Sequence, residues 1–262
     1  MAKDGQVKRV VAGALLLVAL FHGCGSYDAI DQETGRQGIL DQAALFLNSG
    51  MCDQAIDVLR PLYQSQYVDN QVRMTLASAY ACKAEFSFPT VIDAMKTPGT
   101  DVYSTLSKAL YATSLATAYI NYPLAIQYVV ETSSQSPALA AGYRPSDANL
   151  YMVLLQMGHL VTVMNDLGVT NRSTGKKTRT MASQTRGIEQ QCKAQVALSV
   201  VSDCLTALGT TADVFSTFRD SVSAICTATT CSNLSYETCL GSATLQGYGD
   251  GILLAIDALW LI

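Results

Sequence analysis

The stretch Ile39-Leu40-Asp41-Gln42-Ala43-Ala44-Leu45-Phe46-Leu47-Asn48-Ser49-Gly50-Met51-Cys52-Asp53-Gln54-Ala55-Ile56-Asp57-Val58-Leu59-Arg60-Pro61-Leu62-Tyr63 sets the fold class. Ile39-Leu40, Ala43-Ala44 and Leu47 recur at helical spacing, so the first half reads as one amphipathic helix. Gly50 ends it. A second helix runs from Cys52 to Tyr63, with Ala55, Ile56, Leu59 and Leu62 on its inner face. After a turn at Asp69-Asn70, Val72, Leu76, Ala77, Tyr80 and Ala81 stripe a third. Composition agrees with an all-α chain. Of the 262 residues, 49% are hydrophobic and 15% charged, which is too apolar for disorder and implies a packed core. Only six prolines interrupt it. A net charge of −4 gives no general attraction to nucleic acid.

The order of small and large residues in these helices resembles the tetratricopeptide repeat, which has a 34-residue period. Ala43 and Phe46 take its first-helix packing positions, Gly50 the turn glycine, and Ala55 the small residue at the helix crossing. Leu59 and Leu62 continue the second helix. One period on, Leu76, Ala77 and Tyr80 fall at the leucine, small and tyrosine positions. Three residues depart from the pattern: Tyr67 stands in place of proline, Ala84 in place of glycine, and Pro89 where the crossing alanine belongs. The resemblance covers one repeat and a half, about residues 37–96. It implies that the second helix of a repeat lies antiparallel to the first helix of the next. Cys52 and Cys82 would then lie side by side and form a disulfide. Repeats of this kind bind segments of other proteins in a concave groove, so the implied role is a non-enzymatic scaffold or adaptor with a protein partner. The segment Leu76-Ala77-Ser78-Ala79-Tyr80-Ala81-Cys82-Lys83-Ala84-Glu85-Phe86 is also similar to part of the TatT-type lipoproteins. That likeness implies the alternative, an accessory component of TRAP-type solute uptake with a ligand-lined helical channel.

Upstream, Lys3, Lys8 and Arg9 precede an apolar run from Val10 to Phe21, followed by Gly23 and Cys24. This is the layout of a secretory signal peptide over residues 1–23. Leu20-Phe21-His22-Gly23-Cys24 resembles a bacterial lipobox, with the small residue it requires before the cysteine. The resemblance implies diacylglycerol in thioether linkage to Cys24, cleavage before that residue, and acylation of the new N-terminus. Several chains on one cysteine anchor firmly. Residues 24–36 then form a polar tether. The absence of aspartate directly after Cys24 favours, by the enterobacterial rule, the periplasmic face of the outer membrane, with the periplasm itself as the other location. An ordinary cleaved signal or an N-terminal anchor is the alternative reading.

With Cys24 lipidated, Cys52, Cys82, Cys192, Cys204, Cys226, Cys231 and Cys239 remain as disulfide candidates in an oxidising compartment. Connectivity in the C-terminal, cysteine-rich part (188–262) stays open. Seven is odd, so at least one thiol is free or pairs between chains. A metal site at Cys226, Cys231 and Cys239 has no zinc-like spacing, and no metal or cofactor is expected.

Beyond the repeats, an irregular helical bundle completes a single helical domain over 37–262. Thr97-Pro98-Gly99 is a turn, and Thr100 caps one long helix through Tyr119. Pro123 opens another that ends near Thr132. Ser133 to Pro145 is a loop. Ser146 or Asp147 caps a helix to about Leu167 that is apolar nearly all round and therefore central. Gly168 to Gly187 holds Arg172, Lys176, Lys177, Arg179 and Arg186 without an acid, and reads as an exposed, mobile basic loop. It would meet anionic groups or simply aid solubility. Helices over 188–208 and 212–228 follow. Gly247, Gly249 and Gly251 read as a tight turn before a last core helix, with a membrane-touching tail at Trp260 as the minor reading. The sequence carries no phosphate loop, nucleophile elbow or HExxH. His159, in an apolar helix, reads as a hydrogen-bonded core residue rather than a base, and no catalytic residue is assigned.

Overall fold

Helix α1 (Glu33–Asn48) stops where Gly50 turns the chain at φ 70°, a left-handed conformation that a Cβ disfavours. Helix α2 (Cys52–Tyr63) buries Ala55, Ile56, Leu59 and Leu62. Helix α3 (Asn70–Lys83) begins at Asp69, whose carboxylate accepts the Val72 N–H and satisfies a donor that the first turn leaves orphaned. The computed structural model describes residues 33–91, 102–135, 138–168, 170–209, 216–231 and 235–260. The expected signal peptide, Cys24, the expected turn at 97–99, the expected Thr100 cap and the start expected at residue 212 lie outside the described residues.

The chain is all-helical. The remaining helices are α4 (Val102–Ala109), α5 (Leu115–Val130), α6 (Ser146–Leu167), α7 (Ile188–Leu208), α8 (Ser216–Thr229), α9 (Tyr236–Leu240) and α10 (Ala243–Leu259). Several boundaries differ from those read in the sequence. Residues 33–36 belong to α1, not to a tether, because the Arg36 guanidinium is held by Asp69 and Gln71 at the start of α3. The single helix expected from Thr100 to Tyr119 is broken. Glu85 grips the Thr113 backbone N–H at 2.8 Å and also its hydroxyl, and Ser114 then caps α5 by accepting from Thr117 N. Pro123 sits inside α5 rather than opening a helix. Neither Ser146 nor Asp147 is the N-cap of α6; Pro145 holds that place.

Two cores result. Leu40, Ala43, Ile56, Leu59, Leu62 and Leu76 close a small one among α1, α2 and α3. The larger surrounds α6, which packs along α5 and α7, while α10 lies against α7. Gly247, Gly249 and Gly251 form no turn; they lie within α10. At Gly249 a Cβ would collide with the Gln191 carbonyl of α7, so glycine there lets the two backbones approach. Tyr80 and Tyr128 pack against both cores and stack on each other, with Tyr63 edge-on to Tyr128 at 5.1 Å.

Candidate functional site

Met74, Ser78 and Cys82 follow one another at four-residue spacing, so they share one face of α3. That face forms the floor of a groove of about 720 Å³, walled by Leu47 from α1, by Leu150 and Tyr151 from α6, and by Phe88. Phe88 is 43% exposed, although it is a large apolar side chain. A second section of about 340 Å³ shares Leu47, Met74, Ser78 and Asp147 and extends the groove past Asn70, Gln71 and Thr75. Burial pushes the Tyr151 phenol up to about 12, so it faces the groove as a neutral hydroxyl. Asp147 is the one carboxylate among the lining residues. The surface offers apolar contact and neutral hydrogen bonding, the chemistry of a site that holds a chain segment.

A disulfide braces the groove. Cys52, at the start of α2, is bonded to Cys82, at the end of α3, with Cα atoms 5.7 Å apart. The two helices therefore run antiparallel. Helix α3 ends with Glu85 at φ 64°, in the position after Ala84. Burial opposes the charge of Glu85, but hydrogen bonds from Thr113 and Ser114, together with Arg172, outweigh it and hold the carboxyl below the usual range.

The C-terminal cysteines pair as Cys192–Cys239 and Cys226–Cys231. All three cysteines of the alternative metal trio are thus in disulfides. Cys204 is the free, buried thiol among the described residues. Burial pushes it up to about 11 against the opposing charge of Arg144, whose guanidinium reaches its sulfur at 3.2 Å.

The segment from Gly168 to Gly187 is largely exposed, as its composition implies, yet two of its cations are fastened to α10. Lys177 is buried and donates to the Asp257 carboxylate at 2.9 Å and to its backbone carbonyl. The Asp257 carboxylate also accepts from Met181 N. Arg186 grips Asp250 through two nitrogens, at 2.6 and 3.1 Å. Trp260 is buried and donates from Nε1 to Gly175 O at 2.8 Å, so it is a core residue and not a membrane-touching one. Arg172 stands over the Tyr111 ring, while Lys176 and Arg179 remain exposed. Acids distant in sequence thus absorb two of the five cations.

His159 is buried in mid-α6, its Nε2 without a hydrogen-bond partner, where the sequence implied a hydrogen-bonded one. Burial, and then the Lys193 charge, lower its pKa to about 4, so it is neutral at pH 7. It lines a second cavity with Lys193, which sequence reading missed. The linear signal there was only the i,i+4 spacing of Glu189 and Lys193. Among the described residues no helix is long and apolar enough to cross a membrane. Compared with family models, curated proteins and solved structures, the chain matches none.

Proposed function

We propose that this chain is a non-enzymatic scaffold of a bacterial envelope, held by lipid on Cys24, that binds a segment of another envelope protein in the groove between α1, α3 and α6. The observation that carries this reading is the groove itself. It has apolar walls from α1 and α6, exposes Phe88, and is floored by the half-buried Met74 and Ser78 of α3. An extended or helical segment with two or three apolar anchors fits such a surface. The lipobox-like stretch supports the tether. Photo-crosslinkers placed at Met74 and Phe88 in intact cells test the groove, with Asp41 on the exposed side of α1 as control. One discrete envelope-protein adduct from the groove positions, absent from Asp41, is the expected result. Equal labelling from all three positions defeats the reading. A solute-binding protein in the adduct moves it to the uptake system. The tether is tested by labelled palmitate: Cys24→Ser should block incorporation and release the chain to the soluble fraction.

A further inference from the structure

Helix α8 ends at Thr229, and the next residue, Thr230, turns the chain at φ 61°. Glycine usually takes that left-handed place after a helix; threonine, branched at Cβ, is strained there. Three bonds hold Thr230 in it. Its N–H donates to Cys226 O at 2.9 Å, and its carbonyl accepts from Nε2 of the buried Gln195 of α7 at 3.1 Å. The Cys226–Cys231 disulfide closes around it, tying the last turn of α8 to the residue after Thr230.

The three disulfides differ in what keeps their sulfurs together. Cys192 and Cys239 are fully buried, stand 47 residues apart and join α7 to α9, which pack on each other. Cys52 and Cys82 are partly exposed, but they stand 30 residues apart and join α2 to α3, which also pack on each other. If either bond is cut, the packed helices hold the two thiols at high effective concentration, and the bond closes again. Cys226 and Cys231 are both partly exposed and only five residues apart, and Cys231 belongs to no helix. Cutting this bond lets Thr230 leave its strained conformation, and the two thiols part. Accessible and strained disulfides are the easily reduced ones.

We propose that Cys226–Cys231 is an exchangeable disulfide, opened by a dithiol while the other two disulfides stay closed. One thiolate of the dithiol attacks one sulfur of the pair; the Cys226–Cys231 bond breaks, and the other sulfur leaves and takes up a proton. The second thiol of the dithiol displaces the first cysteine, which is protonated in turn, and the dithiol departs as a disulfide. Two electrons pass from the dithiol to the chain. The turn at Thr230 then opens, Gln195 loses that acceptor, and the end of α8 is released from α7. The buried Cys204 thiol takes no part. None of these residues lines the groove, so either proposal stands if the other fails.

The test equilibrates the purified full chain with mixtures of reduced and oxidised dithiothreitol, traps thiols with N-ethylmaleimide and maps them by mass spectrometry. Cys226 and Cys231 should be labelled together at a mixture about ten-fold more oxidising than the one that opens either other disulfide. Hydrogen exchange should then speed up in the last turn of α8 and not in α9. Thr230→Gly, which accepts positive φ without strain, should make the pair about five-fold harder to reduce and leave the other two unchanged. Opening of Cys226–Cys231 together with or after another disulfide overturns the proposal. So does an unchanged midpoint in Thr230→Gly. If Thr230→Gly does not fold, Thr230→Asn, which also tolerates positive φ, carries the same comparison.

Discussion

The α1–α3 unit and the bundle around α6 bury their apolar surface in different ways. In the first, α1 and α2 are one-sided and pack on their neighbours in sequence, while α3 turns one side to each core. Ala55, Ile56, Leu59 and Leu62 face inward while Asp53, Gln54 and Arg60 face water. In the second, α6 is covered on nearly every side, and its surroundings are fastened by partners far apart in the chain. Lys177 meets Asp257 across 80 residues, and Trp260 meets Gly175 across 85. One-sided packing leaves a periodic trace in the sequence, and all-round packing erases it. The bundle should therefore depend on single long-range contacts more steeply than the repeat-like unit does.

The largest expected effect lies in the bundle. Asp257→Ala strands the Lys177 ammonium in the interior and removes the acceptor of Met181 N. Breaking a buried pair this way costs about 3–5 kcal/mol. Lys177→Met, which leaves Asp257 bonded to Met181 N, should cost clearly less. Urea unfolding of both variants checks this, and equal losses would remove the distinction drawn here.

In the repeat-like unit the strongest fastening is covalent. Replacing Cys52 and Cys82 together by serine should cost about 3.5 kcal/mol on the chain-entropy account, given their separation of 30 residues. Hydrogen exchange should speed up in α1 to α3 and hardly change in α6 and α7. Uniform acceleration would mean that the two cores unfold as one.

The smallest effect is on acid stability. His159 titrates near 4 when folded and near 6.5 when unfolded, so below pH 6.5 the unfolded chain binds more protons. Stability is complete above pH 6.5 and declines as pH falls towards 4, by about 3 kcal/mol in all. Asp69 and Asp250 have their pKa values lowered. Partial burial opposes this at Asp69, but hydrogen bonds from Arg36 and the Val72 backbone outweigh it; at Asp250 the Arg186 hydrogen bond leads. Their contributions are present above their unfolded values and fade only at lower pH. His159→Phe should therefore flatten the profile between pH 6.5 and about 4.5, read by unfolding at stepped pH. An unchanged slope would place the titrating group elsewhere.

Much of the architecture was legible in the residues. The inner face of α2, the bounds of α7 and the central burial of α6 follow from apolar spacing, and the Cys52–Cys82 bond from the resemblance to a helical repeat. The break at residues 110–114 was not, because it depends on Glu85 reaching Thr113 from 28 residues away. The anchoring of two cations in the basic segment was hidden for the same reason. The segment's composition described a solvated loop, while Asp257 and Asp250, which neutralise two of its cations, stand about 80 and 64 residues further on. The groove between α1, α3 and α6 follows from no local pattern, since its lining residues stand about 100 residues apart in the chain. The His159 cleft was not legible at all, since α5, α6 and α7 contribute residues that share no local pattern.

The sequence by itself determined the helical class, the one-sided helices near the N-terminus and the odd cysteine count. Each of these is a property of neighbours along the chain, set by 3.6-residue periodicity or by simple number. Only the tertiary structure decided which thiol stays free, which cations are buried, and that Gly249 in α10 brings two backbones together. Those outcomes rest on close-range contacts, hydrogen bonds of about 3 Å and direct collisions, between groups separated by tens of residues, and no local periodicity encodes them.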